Sequence, residues 1–405
     1  MAVGQTELPE LHPVDGVRLG TACAGIKYPD RKDLVLIELG ENVASAGVFT
    51  QNAFCAAPVL IARENLSAAS PQVLVINTGN ANAGTGAQGL SDAQAVCQAS
   101  AALSDCQTNE VLPFSTGVIG EAYPLEAVLK GLPDAYAALS KDGWADAAYG
   151  ILTTDTMPKG MSKKITIDGC EITITGIAKG SGMIRPDMAT MLAFIATDAA
   201  LSDGLLKKCL NNAVENSFNR ITVDGDTSTN DACILMATGK SVLPLIEEES
   251  GAFQKLCDAV SDVAEYLAQA IIRDGEGATK LVTINVVEGS SEQECKDLAY
   301  TIAHSPLVKT ALFASDPNWG RILAAVGRAG IRNFDINAMS IFLDDVCIVS
   351  NGGRAPGYTE ASGQAVMDKD EITISVNLGR GLHNARIWTC DLSYDYVKIN
   401  AEYTT

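Results

Sequence analysis

The feature that most constrains the fold is a loop, residues 180–186, that leads into an uninterrupted apolar run, residues 191–196. Two glycines and a proline disfavour regular structure in the loop, and a short apolar run after such a break predicts a strand buried on both faces. The pattern therefore places Thr190 at the first position of a core strand, directly after the small residue Ala189.

Such a position suits a threonine whose own α-amino group acts as its base. A hydroxyl is a poor nucleophile at its ordinary pKa, and an amino-terminal threonine overcomes this because its α-amine accepts the hydroxyl proton. An α-amine titrates at about pH 7.7 to 8.0, so part of it is free to accept a proton near neutral pH. This chemistry requires the chain to be cut between Ala189 and Thr190. For this stretch taken alone, an ordinary threonine at a strand entry is the commoner alternative.

Composition and charge exclude several classes of function. The 405 residues are 47% hydrophobic and 19% charged, a globular balance that allows two or three units with their own cores. A formal net charge of -20 argues against nucleic acid or an anionic membrane as a partner, because phosphate binding needs clustered Lys and Arg. No stretch reaches the ~18 apolar residues that span a bilayer, and no leader is evident, so we expect a cytoplasmic protein.

The side chains that usually bind metals or relay protons are scarce or scattered. The chain has three histidines, and its 11 cysteines include no C-x-x-C pair, so we interpret the cysteines as small core residues in a reducing compartment. The three aspartates within residues 222–231 lack the order of an EF-hand loop. We therefore expect no metal, no cofactor and no histidine base.

A glycine pattern in the first part of the chain imitates a dinucleotide-binding fingerprint. Gly84, Gly86 and Gly89 have the required spacing, but residues 77–83 separate the preceding strand from Gly84, and no companion βαβ unit is evident. We expect a structural or substrate-lining loop here. An uncut nucleotide-binding protein stays open as an alternative.

Alternating strands and helices are predicted along the whole chain. Strands are predicted over residues 33–39, 44–50, 72–77, 111–117, 191–196, 280–287, 341–349, 371–377 and 387–391, helices over residues 91–105, 124–139, 202–214, 252–272 and 291–304, a hairpin over residues 164–175, and a docked strand over residues 396–405. Ser91 is predicted to cap the first of these helices.

Two polar turns are candidates for a site. Thr116 and Gly117 end a predicted strand, and a Thr-Gly turn can direct a hydroxyl and a backbone N–H at one point, as an oxyanion requires. Glu276 lies between two glycines, where it is either a solvated loop acid or a glutamate at the mouth of a pocket. Neither turn by itself is sufficient to identify a functional site.

Several motifs, in order along the whole chain, resemble the ornithine acetyltransferase (ArgJ) family. They lie at residues 115–117, 153–155, 179–192, 224–231, 274–277, 316–321 and 400–405. Arg185 and Asp187 vary from the Ala and Asn that are equally expected in the family's loop, and both flank the position of the cut.

The resemblance implies a fold and a set of site residues. The implied fold is α/β, a layered αββα-type sandwich resembling N-terminal-nucleophile hydrolases. The precursor would cut itself between Ala189 and Thr190 into an α chain, residues 1–189, and a β chain, residues 190–405, assembled as two of each. Thr190 would be the nucleophile, Thr116 and Gly117 the oxyanion hole, and Thr153, Lys179, Thr190, Glu276, Asn400 and Thr405 the substrate-binding positions.

The implied activity is that of a glutamate N-acetyltransferase of arginine biosynthesis. It moves an acetyl group from N2-acetylornithine to glutamate, and acetyl-CoA as a second donor is a question that the residues leave open. The chemistry agrees, because an amide broken and remade without losing the acetyl group to water needs a covalent relay. Lys179 suits a carboxylate or a role in depressing the amine pKa, and Glu276 suits a substrate cation. A self-processed threonine amidase or aminopeptidase would share the nucleophile and stays open as an alternative.

Overall fold

A computed structural model of the chain describes residues 2–4, 7–185 and 191–402. The predicted cleavage positions Ala189 and Thr190, and the predicted binding residue Thr405, lie outside the described residues. The chain divides into two units. The large unit comprises the described residues of 7–219 and 226–271, and the small unit those of 1–6, 220–225 and 272–404.

The described residues form strands and helices in a mixed α/β order. The strands are β1 (Val17–Ala22), β2 (Leu34–Leu39), β3 (Ala44–Phe49), β4 (Val73–Asn80), β5 (Val111–Val118), β6 (Lys159–Ile167), β7 (Cys170–Lys179), β8 (Leu192–Thr197), β9 (Ile221–Thr222), β10 (Ala232–Ala237), β11 (Leu281–Gly289), β12 (Ser340–Leu343), β13 (Val346–Ser350), β14 (Gly353–Arg354), β15 (Glu371–Asn377) and β16 (His383–Cys390). The helices are α1 (Ala57–Ala68), α2 (Gly86–Ser104), α3 (Leu125–Ala137), α4 (Trp144–Gly150), α5 (Asp203–Glu215), α6 (Gly251–Arg273), α7 (Glu292–Ala303), α8 (Pro306–Phe313), α9 (Trp319–Gly327), α10 (Glu360–Met367) and α11 (Tyr394–Glu402).

Two sheets form the centre of the large unit. One has the strand order β1-β2-β4-β5 and the other the order β3-β10-β8-β7-β6. The apolar run after residue 190 is β8, in which every residue is buried, and it lies between the parallel strand β10 and the antiparallel strand β7. The prediction of a core strand is therefore confirmed. A strand that is covered on both faces has no side that faces solvent, so its sequence does not alternate between polar and apolar residues.

The two sheets pack face to face and carry helices on their outer faces. Phe114 of β5 and Phe194 of β8 meet edge to face with ring centroids 5.1 Å apart, within a shared core between the sheets. Helices α2 and α3 cover the outer face of the first sheet. On the second sheet, Gly176 of β7 lies directly under Val263 and Leu267 of α6, and α5 packs on β3 and β10. The predicted αββα layering is thus present in the large unit.

The small unit is built on a single sheet with the strand order β14-β13-β12-β15-β11-β16-β9. Alternate residues of β11, including Val282 and Ile284, share a core with Leu298 and Ile302 of α7. Helix α7 begins where predicted, because the Ser291 hydroxyl accepts a hydrogen bond from the backbone N–H of Glu294. Among the described residues of the whole chain, no helix is both long and apolar enough to cross a membrane.

Two boundaries in the large unit test the turn and cap predictions. The hairpin prediction is confirmed: β6 and β7 meet at Asp168 and Gly169, with φ of 49° and 83° as in a type I′ turn. The cap prediction at Ser91 is wrong, since α2 begins at Gly86 after the N-cap Thr85. Its first turn is fixed from outside the helix, because the Asn82 amide donates to the C=O of Gly89 at 3.0 Å.

Two strand predictions in the small unit are wrong. Residues 341–349 form the hairpin β12–β13 rather than one strand, because Asp344 takes a left-handed φ of 48° and turns the chain. The final segment is the helix α11 rather than a docked strand, and none of its described residues is buried. Ser393 caps this helix by accepting the N–H of Tyr396 at 3.2 Å, and Asp395 in the first turn favours the positive end of the helix dipole.

Candidate active site

The site in the large unit begins at the ends of two parallel strands. Strands β4 and β5 run side by side, with Ser115 opposite Asn77 and Gly117 opposite Gly79. Parallel strands bring their carboxyl ends to the same sheet edge, where side chains from different segments meet. The prediction of a Thr-Gly turn is wrong, since residues 115–117 belong to strand β5 and pair with β4, but they do lie at that edge.

Gly117 is required by the close approach of its neighbour. Its φ is +135°, and a Cβ added there would lie 2.3 Å from the carbonyl carbon of Gly79. A side chain at this position would therefore push β5 away from β4. The glycine fixes the backbone on which Thr116 is mounted.

Lys179 and Thr116 form a buried pair. The Lys179 Nζ donates to the Thr116 Oγ1 at 3.0 Å, and the two residues are 3% and 6% exposed. An ammonium only donates, so the threonine oxygen is the acceptor in this bond and its own proton stays available for a second acceptor. A hydroxyl donor beside a buried cation is suited to stabilising a negatively charged oxygen.

A single buried carboxylate organises the two loops beside this pair. Asp155 accepts hydrogen bonds from the Lys159 Nζ at 2.6 Å, the Gly180 N–H at 2.7 Å and the Thr153 N–H at 3.1 Å. The side chains of Asp155 and Lys159 are both 0% exposed. The carboxylate thus connects Thr153 to Gly180, the residue next to Lys179.

The electrostatics of this cluster keep Asp155 ionised. Burial by itself would raise the pKa of the Asp155 carboxyl, but Lys159, Lys179 and the bonds from Lys159 and Gly180 outweigh burial and hold that pKa well below its usual range. The loops are joined a second time by a 2.7 Å bond between the hydroxyls of Thr154 and Ser181. The start of the segment that leads to residue 190 is therefore held firmly.

Asparagines hold residues 115–117 of β5 from the opposite side. The Ser115 hydroxyl donates to Asn77 Oδ1 at 2.5 Å, and the Tyr123 hydroxyl donates to the same oxygen at 3.0 Å. The Asn230 amide donates to the C=O of Ser115 at 2.9 Å and to the C=O of Ala81 at 2.6 Å. These bonds join segments that are far apart in the sequence, so both asparagines have a structural role here.

The third glycine of the apparent dinucleotide fingerprint is required by the packing of the protein itself. A Cβ at Gly89 would lie 1.9 Å from the Thr85 hydroxyl oxygen, so this glycine packs under its own N-cap. The Thr85 hydroxyl donates to Asn82 Oδ1 at 2.8 Å. The structural interpretation of this loop accounts for Gly89 and Asn82.

The first described residue after the proposed cut is held at both of its backbone groups. The Met191 N–H donates to Asp231 Oδ1 at 3.1 Å, and the Met191 C=O accepts the Ala232 N–H at 3.2 Å. Asp231 is 1% exposed. Burial raises the pKa of Asp231 well above its usual range, although hydrogen bonds from Ser228 and Met191 and the charge of Lys179 act in the opposite direction.

The small unit contains the other two predicted binding residues that the structure describes. The Asn400 amide of α11 donates to Glu276 Oε2 at 2.8 Å and to the C=O of Tyr396 at 3.0 Å. Gly277, with φ of +69°, lies against the first turn of α11, where a Cβ would be 2.5 Å from the Tyr396 nitrogen. The tight turn at Glu276 is therefore fitted to α11.

All six predicted site residues that the structure describes fall into these two groups. In the large unit the structure brings together Thr116, Gly117, Lys179 and Thr153, and in the small unit it joins Glu276 to Asn400. Sequence reasoning gave no role to Asp155, Lys159 or Asp231, although Asp155 and Asp231 lie within motifs that carry the family resemblance. Both acids stand close to buried strands, and a carboxylate at such a point needs compensating donors or cations.

Comparison with known proteins identifies the family of the chain. The family model described as "ArgJ family" matches residues 18–405. The arginine biosynthesis bifunctional protein ArgJ of Pseudomonas syringae pv. tomato is 57% identical over 406 residues, with 100% of each chain covered. The protein of the same name from Methylococcus capsulatus is 59% identical, with 98% of this chain and 97% of the relative covered.

Solved structures of similar proteins match parts of the chain. The crystal structure of arginine biosynthesis bifunctional protein ArgJ from Bacillus halodurans is 39% identical, with a TM-score of 0.49 over 51% of this chain and 96% of that one. Ornithine acetyltransferase from Mycobacterium tuberculosis, complexed with ornithine, is 33% identical, with a TM-score of 0.38 over 43% of this chain and 92% of that one. On the full-length sequence matches, the resemblance seen in the motifs is confirmed: this chain belongs to the ArgJ family.

Proposed function

We propose that this ArgJ-family acyltransferase is a glutamate N-acetyltransferase that moves an acetyl group from N2-acetylornithine to glutamate through an ester on Thr190. The observation that carries the proposal is the buried bond from Lys179 to the Thr116 hydroxyl. Lys179 is the last residue of β7, a strand that pairs with β8, and it directly precedes the loop that leads to Thr190. The names of the relatives, an arginine biosynthesis bifunctional protein and an ornithine acetyltransferase, support the substrates.

The enzyme would first activate itself by cutting the peptide bond between Ala189 and Thr190. The Thr190 oxygen attacks the Ala189 carbonyl carbon, the C–N bond breaks, and the resulting ester is hydrolysed by water. Ala189 then ends in a carboxylate and Thr190 begins with an α-amine. Strands β7 and β8 lie on opposite sides of the cut and pair with each other, so the α and β chains would stay associated.

The first half-reaction would transfer the acetyl group to the enzyme. The Thr190 oxygen attacks the acetyl carbonyl carbon of N2-acetylornithine while the α-amine of Thr190 accepts the hydroxyl proton. The tetrahedral intermediate collapses when the C–N bond breaks, and the proton passes from the α-ammonium to the departing amine of ornithine. The product is an ester on Thr190, and ornithine leaves.

The second half-reaction would return the nucleophile. The neutral amine of glutamate attacks the ester carbonyl carbon, and the α-amine of Thr190 accepts a proton from it. The C–O bond then breaks, the Thr190 oxygen regains a proton, and N-acetylglutamate is released. The sequence is ping-pong, because the first product leaves before the second substrate reacts.

Thr116 and Gly117 would stabilise the oxyanion in both half-reactions. The Thr116 hydroxyl has its oxygen occupied by Lys179 and offers its proton, and the Gly117 backbone is fixed against β4. Donors held in place before the reaction gain strength without reorganisation as the charge develops. Lys179 adds a fixed positive charge beside the hydroxyl.

The remaining residues would bind the substrates. Lys179 suits an α-carboxylate shared by the two amino acids, and Glu276 suits the side-chain ammonium of ornithine. Asn400 already contacts Glu276 and would limit its movement. Thr153, Thr190 and Thr405 complete the proposed set of binding residues.

We further infer the setting in which the reaction occurs. The working enzyme would be a cytoplasmic assembly of two α and two β chains, residues 1–189 and 190–405, without a cofactor. Acetyl-CoA would enter as a co-substrate if this chain shares the second activity of the bifunctional relatives, since a thioester can acylate Thr190 in place of the acetyl amide.

A transfer assay with isotopically labelled acetylornithine tests this function. We expect labelled N-acetylglutamate when glutamate is present, and a labelled ester on Thr190 when it is absent. Release of labelled acetate at the same rate with and without glutamate would instead identify a threonine amidase. An acetyl-CoA assay with glutamate decides the second activity.

A further inference from the structure

Arg31, which is half-buried, carries a guanidinium that the protein uses only in part. Its Nη2 donates to the C=O of Leu152 at 2.6 Å and to the C=O of Thr153 at 3.2 Å. Its Nη1 and Nε have no hydrogen-bond partner in the part of the chain that the structure describes, and the guanidinium forms no ion pair with a carboxylate there. A guanidinium stays protonated at neutral pH, so the N–H groups of Nη1 and Nε are left for a negatively charged ligand.

The carboxylates of the neighbouring segments are bound to other donors. The side chain of Asp33 accepts two backbone N–H groups of its own loop, at 2.6 Å and 2.7 Å. Asp146 pairs with Lys32 at 2.6 Å, and Asp155 pairs with a buried lysine. The positive charge of Arg31 is therefore not neutralised by any of these three acids, and it remains available to a ligand.

The loop that carries this arginine, residues 23–33, lies on the carboxyl end of β4. The Thr78 N–H donates to the C=O of Asp33 at 2.9 Å. A Cβ added at Gly79 would lie 3.1 Å from a side-chain carbon of the loop. In the register of β4 and β5, Thr78 lies opposite Thr116. The loop is therefore attached to the same strand ends that carry the proposed oxyanion donors.

Hydrogen bonds connect Arg31 to two of the proposed binding residues. Thr153, whose C=O accepts from Arg31, donates its own N–H to Asp155 at 3.1 Å. The other oxygen of Asp155 accepts the N–H of Gly180 at 2.7 Å, and Gly180 directly follows Lys179. All of these residues belong to the large unit. The guanidinium is therefore held beside the segment that contains Thr153, and one carboxylate joins that segment to the end of β7.

The proposed reaction needs a second cation in its binding site. Glutamate has two carboxylates, whereas Lys179 is the only cationic residue in the proposed binding set and is assigned to the α-carboxylate. A carboxylate that leaves water without a cation or several donors loses much of its solvation energy. We propose that Arg31 binds the side-chain carboxylate of glutamate with the N–H groups that the loop leaves unused, and thereby selects glutamate as the acetyl acceptor. This inference rests on the proposed function.

Two substitutions of Arg31 in the full-length chain test this binding role. Arg31→Gln removes the positive charge but keeps an amide that can donate to the C=O of Leu152 or Thr153. Arg31→Lys keeps the charge but has fewer N–H groups. The matched control is Lys32→Gln, because Lys32 is the next cation of the same loop and its charge is already paired with Asp146 at 2.6 Å.

Acetyl transfer is measured with acetylornithine as the donor and with glutamate or glutamine as the acceptor. In a ping-pong reaction, kcat/KM for each substrate reports only the half-reaction in which that substrate binds. We expect Arg31→Gln to lower kcat/KM for glutamate about 10-fold to 100-fold, because a charge-assisted hydrogen bond is lost. The preference for glutamate over glutamine should fall by the same factor, and kcat/KM for acetylornithine should stay within about twofold. Arg31→Lys should lose about threefold to 10-fold for glutamate, and Lys32→Gln should match the wild type.

The outcomes separate this inference from the function on which it rests. If Arg31→Gln keeps the wild-type kcat/KM for glutamate, or loses as much for acetylornithine as for glutamate, the inference is overturned. An equal loss would show that Arg31 only supports its loop or binds the α-carboxylate that both substrates carry. If Arg31→Gln fails to fold in a thermal melt, Arg31→Lys decides by the same comparison. If the wild type transfers no acetyl group to glutamate, the proposed function itself fails and takes this inference with it.

Discussion

The two groups of candidate residues differ most in how much freedom the protein leaves them. In the large unit, Lys179, Thr116 and Asp155 are buried and bound to one another or to neighbouring backbone. In the small unit, Asn400 is exposed and Glu276 only half-buried. Groups that stabilise a developing charge work best when fixed in advance, whereas groups that bind two different substrates in turn benefit from adjustment. The difference in burial thus matches a division between groups that stabilise the oxyanion and groups that bind the side chain of the substrate.

The largest effect is expected at Asp155. Asp155→Asn would remove the buried carboxylate that pairs with the Lys159 ammonium, and breaking a buried pair in this way costs about 3 to 5 kcal/mol of unfolding free energy. Urea unfolding of the inactive Thr190→Ala background measures it without interference from processing. The exposed pair of Lys164 and Glu171 is the control, since Glu171→Gln should cost less than ~1 kcal/mol.

The pH dependence of the same variant sharpens that prediction. The pKa of Asp155 is lowered in the folded protein, so its stabilising contribution is present above the unfolded pKa, about 3.9, and is lost as the pH falls through the folded value. The stability gap between Thr190→Ala and the Asp155→Asn double variant should therefore be constant near neutral pH and narrow below about pH 4. A gap that is unchanged down to acid unfolding would contradict the assignment of an ionised Asp155.

The next largest effect is expected when one donor of the oxyanion hole is removed. Thr116→Ala should lower kcat by about 100-fold to 1000-fold with little change in KM, because the hydroxyl acts on the transition state rather than on the bound substrate. Thr116→Ser keeps the hydroxyl and should recover most of the rate. If the alanine variant raised KM and left kcat intact, Thr116 would belong with the binding residues and the contrast between the two groups would disappear.

A binding residue should show the opposite kinetic pattern. Glu276→Gln should raise the KM for acetylornithine about 10-fold while kcat stays within about twofold, because a charge-assisted bond to a substrate cation is lost. The KM for glutamate, which lacks a side-chain cation, is the internal control. An equal rise in the KM for acetylornithine and in the KM for glutamate would contradict the proposed contact between Glu276 and ornithine.

The smallest effect is expected at Asn400. Asn400→Ala removes one exposed hydrogen bond to Glu276, which is worth about 0.5 to 1.5 kcal/mol at most, so the KM for acetylornithine should rise only a few-fold. Unfolding by urea should be nearly unchanged. A loss of kcat comparable to that of Thr116→Ala would show that the exposed group takes part in the chemistry.

The sequence predicted those parts of the fold and of the site that depend on local patterns or on family motifs. The strand β8 and the β6–β7 hairpin were predictable because an apolar run and an Asp-Gly turn are local patterns, and the family motifs located Thr116, Gly117 and Lys179. The role of Asp155 was not predictable, since it depends on Lys159 and Gly180 converging on one carboxylate after folding. Helix α11 was missed because the β-branched residues Val397 and Ile399 favour a strand, whereas its cap at Ser393 outweighs them.

The most direct test of the central claim is the intact mass and amino-terminal sequence of the freshly purified protein beside its Thr190→Ala variant. The account predicts that the wild type consists of two chains, residues 1–189 and 190–405, that copurify and show a new amino terminus at Thr190, while the variant is a single chain. A wild-type protein that stays uncut while it transfers acetyl groups at full rate would contradict the claim that Thr190 and its own α-amine perform the reaction.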